Sequence, residues 1–151
     1  MASMKQNNPW LWRSLIASIL LLVALLPVTT LAAPDWSACV VDESSKPVPG
    51  VLVRESYQNY SAESEGPEED QYSDANGCVH FAPKVTRASL LRRLIEIVHS
   101  GTAGVHASFG PYDYVTAFQG NARGDDVRGE YEYAWTGSPR HVDSSLVLRS
   151  H

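Results

Sequence analysis

The chain has 151 residues, with 12 Lys and Arg against 17 Asp and Glu, for a net charge of −5 at neutral pH. That sign, with no stripe of Lys and Arg, argues against nucleic acid or an anionic membrane as a partner held by bulk electrostatics. The length suits one domain with its own core.

The first elements read as an export signal. Lys5 and Arg13 give a positive start without an acid, and Leu15 to Leu26 form an uninterrupted apolar run that Pro27 ends. Thr30-Leu31-Ala32 and Leu31-Ala32-Ala33 offer the small residues a signal peptidase needs. A cut after Ala32 is favoured, because a cut after Ala33 leaves Pro34 as the first residue. The run is short of the roughly 20 apolar residues of a spanning helix, so a cleaved signal over residues 1–32 is expected. The alternatives are an uncleaved anchor over Leu15–Ala33 and lipidation at Cys39, which follows Trp36-Ser37-Ala38. Residues 33–151 then form the exported domain, periplasmic or extracellular. It loses two basic residues and no acidic one, giving a net charge of −7.

That domain holds two cysteines, Cys39 and Cys78. An even count in an exported chain points to a disulfide; the absence of CxxC argues against a metal pair, and a reactive thiol is the other alternative. With Val40 and Val79 inward on their strands, both sulfurs share the outer surface of a sheet.

In chain order, Ala38–Asp42 reads as a strand, Glu43-Ser44-Ser45-Lys46 as a turn, and Val51–Ser56 as a second strand after Pro47, Pro49 and Gly50. Residues 57–72, with Tyr57, Tyr60 and Tyr72 among Glu63, Glu65, Glu68, Glu69 and Asp70, read as a long acidic loop. Asp74-Ala75-Asn76-Gly77 is a hairpin signal, leading into a strand over Cys78–Ala82. The period then changes: Leu91, Leu94, Ile95 and Val98 predict an amphipathic helix over 87–99, capped by Thr86, ended by Gly101 and packed by its apolar face on the core. Strands are expected again at 105–109, 114–118, 131–135 and 145–149. Turns fall at Gly110–Asp113 and Gly137-Ser138-Pro139, with a loop over 121–129. The pattern is mainly β, about seven strands and one inserted helix, a β-sandwich.

Val40-Val41-Asp42…Lys46-Pro47-Val48-Pro49-Gly50-Val51…Val53, followed by Asp74-Ala75-Asn76-Gly77…Val79…Phe81, resembles the carboxypeptidase regulatory-like domains. The resemblance implies a transthyretin-like (prealbumin-like) sandwich of about seven strands and a scaffold without catalytic residues of its own. It covers about 24 residues by the two motifs. The chain departs from the family after Phe81, where Pro83 is followed by the proposed helix instead of a Pro-Gly turn into another strand.

No HExxH and no GxSxG is present, so no zinc-peptidase or nucleophile-elbow motif offers itself. No metal or cofactor is expected: Tyr72-x-Asp74-x-Asn76-Gly77 has Tyr where a calcium loop needs its first carboxylate. Glu96 and His99 read as a solvated helix face. Tyr112, Tyr131 and Tyr133 are the candidate ligand-binding residues, since aromatic rings stack on sugars and make protein contacts. The expected function is a non-enzymatic module for protein interaction or assembly, with an unknown protein or glycan partner, no nucleic acid, and membrane contact only through an uncleaved signal segment. The alternatives are a carbohydrate-binding module and a small transthyretin-like hydrolase using His80 or His106. Asn59-Tyr60-Ser61 is a glycosylation sequon.

Overall fold

A computed structural model describes residues 9–120, 126–130 and 134–148, with residues 119, 120 and 126–130 followed through their backbone. The chain is mainly β, with a helix inserted after the sixth strand. Its elements are α1 (Pro9–Leu25), β1 (Pro27–Ala33), β2 (Asp35–Asp42), β3 (Leu52–Asn59), β4 (Glu68–Tyr72), β5 (Cys78–Phe81), β6 (Lys84–Ser89), α2 (Leu90–Gly101), a 3₁₀ turn (Gly104–His106), β7 (Pro111–Gly120), β8 (Asp126–Glu130), β9 (Ala134–Trp135) and β10 (His141–Leu148).

Seven strands follow one hydrogen-bonded path, β4-β3-β7-β8-β10-β2-β5, and β9 pairs with β7. The path closes over a shared apolar interior, so β5-β2-β10 and β4-β3-β7 act as two layers joined through β8. Period-two alternation sends Trp36, Ala38, Val40, Val79, Phe81, Val142 and Leu146 inward from one layer, and Val53, Val115, Ala117 and Trp135 from the other. Two buried rings keep their N–H groups bonded: Trp36 Nε1 donates to Ser144 Oγ at 2.8 Å, and Trp135 Nε1 to the Pro139 carbonyl. The Ser138–Pro139 peptide is cis.

Cys39 and Cys78 face each other in the β2–β5 register and form a disulfide on the half-exposed side of the layer, as the phase of Val40 and Val79 requires.

Both motif turns form, and the second does not close the hairpin expected of it. Asp42 Oδ1 accepts from the amides of Ser44 (2.8 Å) and Lys46 (2.9 Å), and Asp74 Oδ1 from those of Asn76 (2.8 Å) and Cys78 (2.9 Å). Both therefore build carboxylate-braced bends. The Asp42 bend closes a tight antiparallel turn, in which Val41 bridges Pro47 and the Val48 amide donates to the Val40 carbonyl at 3.0 Å, before the chain crosses to β3 in the other layer. The Asp74 bend closes no hairpin: β4 does not pair with β5, so it carries the chain between layers. Gly77 is required there. Its φ is +78°, and a Cβ would lie 2.7 Å from the Val40 carbonyl oxygen.

Several expected elements shift. Residues 68–72 of the expected acidic loop form β4, because Arg54 ties Glu68 and Asp70 to β3. Residues 84–89 form β6, which pairs with β1 in a separate two-stranded sheet. The helix accordingly starts later, capped by Ser89, whose Oγ accepts from the Arg92 amide at 3.2 Å; Thr86 lies in β6. The strand expected at 105–109 is absent, since Gly104–His106 closes a 3₁₀ turn. Asp113 belongs to β7 instead of a turn, and residues 126–129 of the expected loop fall in β8. Of the strand expected over 131–135, Ala134–Trp135 forms β9; Tyr131 and Tyr133 lie outside the described residues.

The amphipathic helix is inverted relative to expectation. Its apolar residues face away from the core, and its one buried residue is Glu96, which bonds Arg92 at 2.8 Å. The rest of its inward side is also polar: Arg93 donates to the Val28 carbonyl (3.1 Å) and Thr30 Oγ1 (2.8 Å).

Candidate functional site

The sandwich presents a tyrosine groove on one outer face. Because Glu55, Asp113 and Val115 point inward, their neighbours Ser56, Gln58, Tyr112 and Tyr114 point outward, in the register pairs Gln58–Tyr112 and Ser56–Tyr114. Tyr60 joins them just past the end of β3, where its amide donates to the Gly110 carbonyl at 2.9 Å. Ring centroids are 6.4 Å apart for Tyr60 and Tyr112 and 5.9 Å for Tyr112 and Tyr114, both tilted, in the favoured range for aromatic pairs.

The opposite wall is Gly66-Pro67-Glu68, held by the Tyr57 amide donating to the Pro67 carbonyl at 3.3 Å. The wall approaches so closely that a Cβ on Gly66 would fall 2.6 Å from the Tyr57 carbonyl oxygen. The enclosed space is about 160 Å³. Arg54 bounds it electrostatically, bonded to both oxygens of Asp70 (2.7 and 2.8 Å) and to Glu68 (2.9 Å), with its guanidinium 5.9 Å from the Phe118 ring centre. The Arg54 bond holds the Asp70 carboxyl below its ordinary value. Of the expected ligand-binding residues, Tyr112 is thus placed at the centre of a groove. Tyr60 joins it from the aromatics of the acidic stretch, and Tyr114, which follows Tyr112 at period two, completes the row without having been expected there.

Directly beneath lies a polar cluster in the core. Glu55 and Asp113 are both fully buried, on the same inner face of adjacent strands, and among the described residues neither carboxyl finds a hydrogen-bond donor. Lys84 Nζ stands 3.9 Å from Glu55 Oε2 and bonds Glu69, which in turn accepts from Gln71 Nε2 at 2.9 Å. Burial pushes the Glu55 carboxyl up to about 8, with the Asp113 charge adding and Lys84 opposing. Asp113 is likewise raised by burial, with the Tyr114 amide, Glu55 and Lys84 opposing in that order. Protonation of one of the two carboxyls would supply the donor that two carboxylates lack. The pair is sealed from solvent, so it meets no substrate in this conformation. The alternation of Val53 with Glu55, and of Asp113 with Val115 and Ala117, is the signal that marks both as inward-facing.

His80 and His106, offered as a pair, are not brought together. His80 lies on β5, its Nε2 3.3 Å from Asp35 Oδ1 and its Nδ1 3.5 Å from Ser37 Oγ. His141 bonds the other Asp35 oxygen at 3.0 Å and Asp143 at 3.3 Å, and the Asp35 bond raises its pKa. The parallel pairing of β2 with β10 assembles this cluster on an open sheet face. His106 instead lines a cavity of about 450 Å³ beside α2, with His99, Glu96 and Glu63. Both carboxylates there are committed, Glu96 to Arg92 and Glu63 to the Asn59 amide (2.9 Å) and Thr86 Oγ1 (2.8 Å). Among the described residues no group of three His, Cys, Asp or Glu is arranged to hold a metal.

No known protein family and no curated protein matches the chain. One solved structure, a 9R-lipoxygenase from Cyanothece PCC8801, aligns with 90% of this chain at 12% identity and a TM-score of 0.31, a likeness too slight to carry an argument. The chain spans 20% of that lipoxygenase chain.

Proposed function

We propose that this is an exported, non-enzymatic β-sandwich module of the carboxypeptidase regulatory-like type, acting in protein interaction or assembly through the tyrosine groove. The observation that carries the reading is the placement of Tyr60, Tyr112 and Tyr114 in one groove on a stiff two-strand platform. Tyrosines so held offer large contact area at low entropic cost, with a polar tip for hydrogen bonding. The apolar leader and the disulfide, a bond that persists in oxidising compartments, support export. The motifs at 40–53 and 74–81 support the family.

Photo-cross-linking tests it: a benzophenone side chain placed at Tyr112 in the native host should capture a discrete partner, and one placed at Glu43, on a distant turn, should not. Equal capture at both positions, or none at 112, removes the groove as a recognition surface. A saccharide ligand is the second reading, favoured by Ser56, Gln58 and Glu68 beside the rings. On a glycan array, a signal lost in the Tyr112→Ala/Tyr114→Ala variant would establish it, and silence from the wild type would dismiss it.

A further inference from the structure

We propose that α1 is retained in the finished protein and that α1 and α2 together form a docking surface for a lipid bilayer, α1 entering the hydrocarbon and α2 lying along its boundary. It does not depend on the tyrosine groove, whose Tyr60 carbonyl accepts from Ser100 of α2 at 3.3 Å, and it rests on three features of the helical end of the molecule.

The first is the outward apolar face of α2. Leu94 and Val98 are 58% and 62% exposed while Glu96 is 6% exposed, a reversal of the usual helix on a domain. Phe109, past the 3₁₀ turn, is exposed as well. The second is α1, which touches α2 and buries no residue along its 17 positions. Arg13 is its only charge, and a helix apolar on every side belongs in a core or a membrane. Water is the wrong solvent for such a surface, and lipid is the one partner that covers a helix on all sides at once.

The third feature is the joint between leader and domain. β1, expected to leave with the signal, pairs with β6 from Pro27–Ser89 to Ala33–Lys84. Ala32 and Ala33 are buried, and Thr30 Oγ1 accepts from Asn59 Nδ2 at 3.2 Å and from Arg93. A cut after Ala32 would strip β6 of its partner and leave Asn59, itself buried, without that acceptor. With β1 locked into the domain, α1 has only Leu26 as a tether, so the bilayer that receives α1 must lie against α2. No helix among the described residues is long and apolar enough to cross a membrane. At 1.5 Å per residue α1 reaches about 25 Å, short of a hydrocarbon core of about 30 Å, which fits insertion from one side. Trp10 and Trp12 suit the interfacial region. Since the chain is net acidic, attachment is apolar in origin and indifferent to lipid charge.

The test uses the full chain with an environment-sensitive dye on an added cysteine, at Leu94→Cys, Val98→Cys or the exposed loop position Glu65→Cys, mixed with phosphatidylcholine vesicles carrying a spin-labelled lipid. The expected result is a several-fold quenching of the dye at 94 and 98, none at 65, and no change on raising salt to 1 M. Mass spectrometry of the exported protein should show residues 9–32 still present. A chain beginning at Ala33, or equal quenching at all three positions, overturns the proposal. So does shielding of positions 94 and 98 from aqueous iodide without lipid, which would mark a second copy as the occupant.

Discussion

The two ends of this molecule handle apolar side chains in opposite ways. In the sandwich, strands of period two turn Trp36, Val40, Val53 and Trp135 inward. At the helical end, α2 turns its apolar residues outward and its Arg and Glu side chains toward the domain. Amphipathicity fixes that an element has two faces; it does not say which face meets the rest of the chain.

The contrast can be broken most sharply by substitution. Trp36→Ala should cost about 4 kcal/mol by cavity formation, whereas Leu94→Ala should change stability in vesicle-free buffer by less than about 0.5 kcal/mol. Urea unfolding of the two variants measures both, and a Leu94→Ala loss comparable to that of Trp36→Ala would return α2 to the core. Next in size is the disulfide. Cys39 and Cys78 are 39 residues apart, and opening that loop should lower stability by about 4 kcal/mol on the chain-entropy model. Melting of the Cys39→Ser/Cys78→Ser variant checks this, and because the bridge lies in the sandwich, attachment of α1 and α2 to vesicles should survive it.

The last effect concerns the buried Glu55–Asp113 pair inside the sandwich. In the unfolded chain Glu55 releases its proton near 4.5, and in the folded chain near 8. Between those values the folded state holds the extra proton, so this contribution to stability is complete below pH 4.5 and is lost as pH rises through 8. Asp113 acts in the same direction. The melting temperature should therefore fall from pH 5 to pH 8, and Glu55→Gln should flatten that slope. A wild-type melting temperature that rises over this range would show the pair to be ionised in the core.

Much of the core was legible because its signals are local. The phase of Val40 against Cys39 and of Val79 against Cys78 places both sulfurs on one side, and the two Asp-led turns are written in their own residues. What those turns connect was not legible. Asp74-Ala75-Asn76-Gly77 bends the chain the same way whether it closes a hairpin or crosses between layers, and only the pairing of β4 with β3 and of β5 with β2 decides. Tyr60 joined Tyr112 for the same reason, since residues over fifty positions apart meet where β3 pairs with β7.

By itself, then, the order of residues determined the mainly β character, the position of a helix to within about three residues, the facing of the two cysteines and the apolar leader. Each follows from steric and solvation preferences acting over a few neighbouring residues. Tertiary structure alone decided that residues 27–33 are a strand of the domain, that α2 shows its apolar face to the outside, and that Glu55 and Asp113 share a sealed interior. Those outcomes depend on which distant segment reaches a surface first and satisfies its hydrogen bonds, as β1 does for β6 and Thr30 for Asn59 and Arg93.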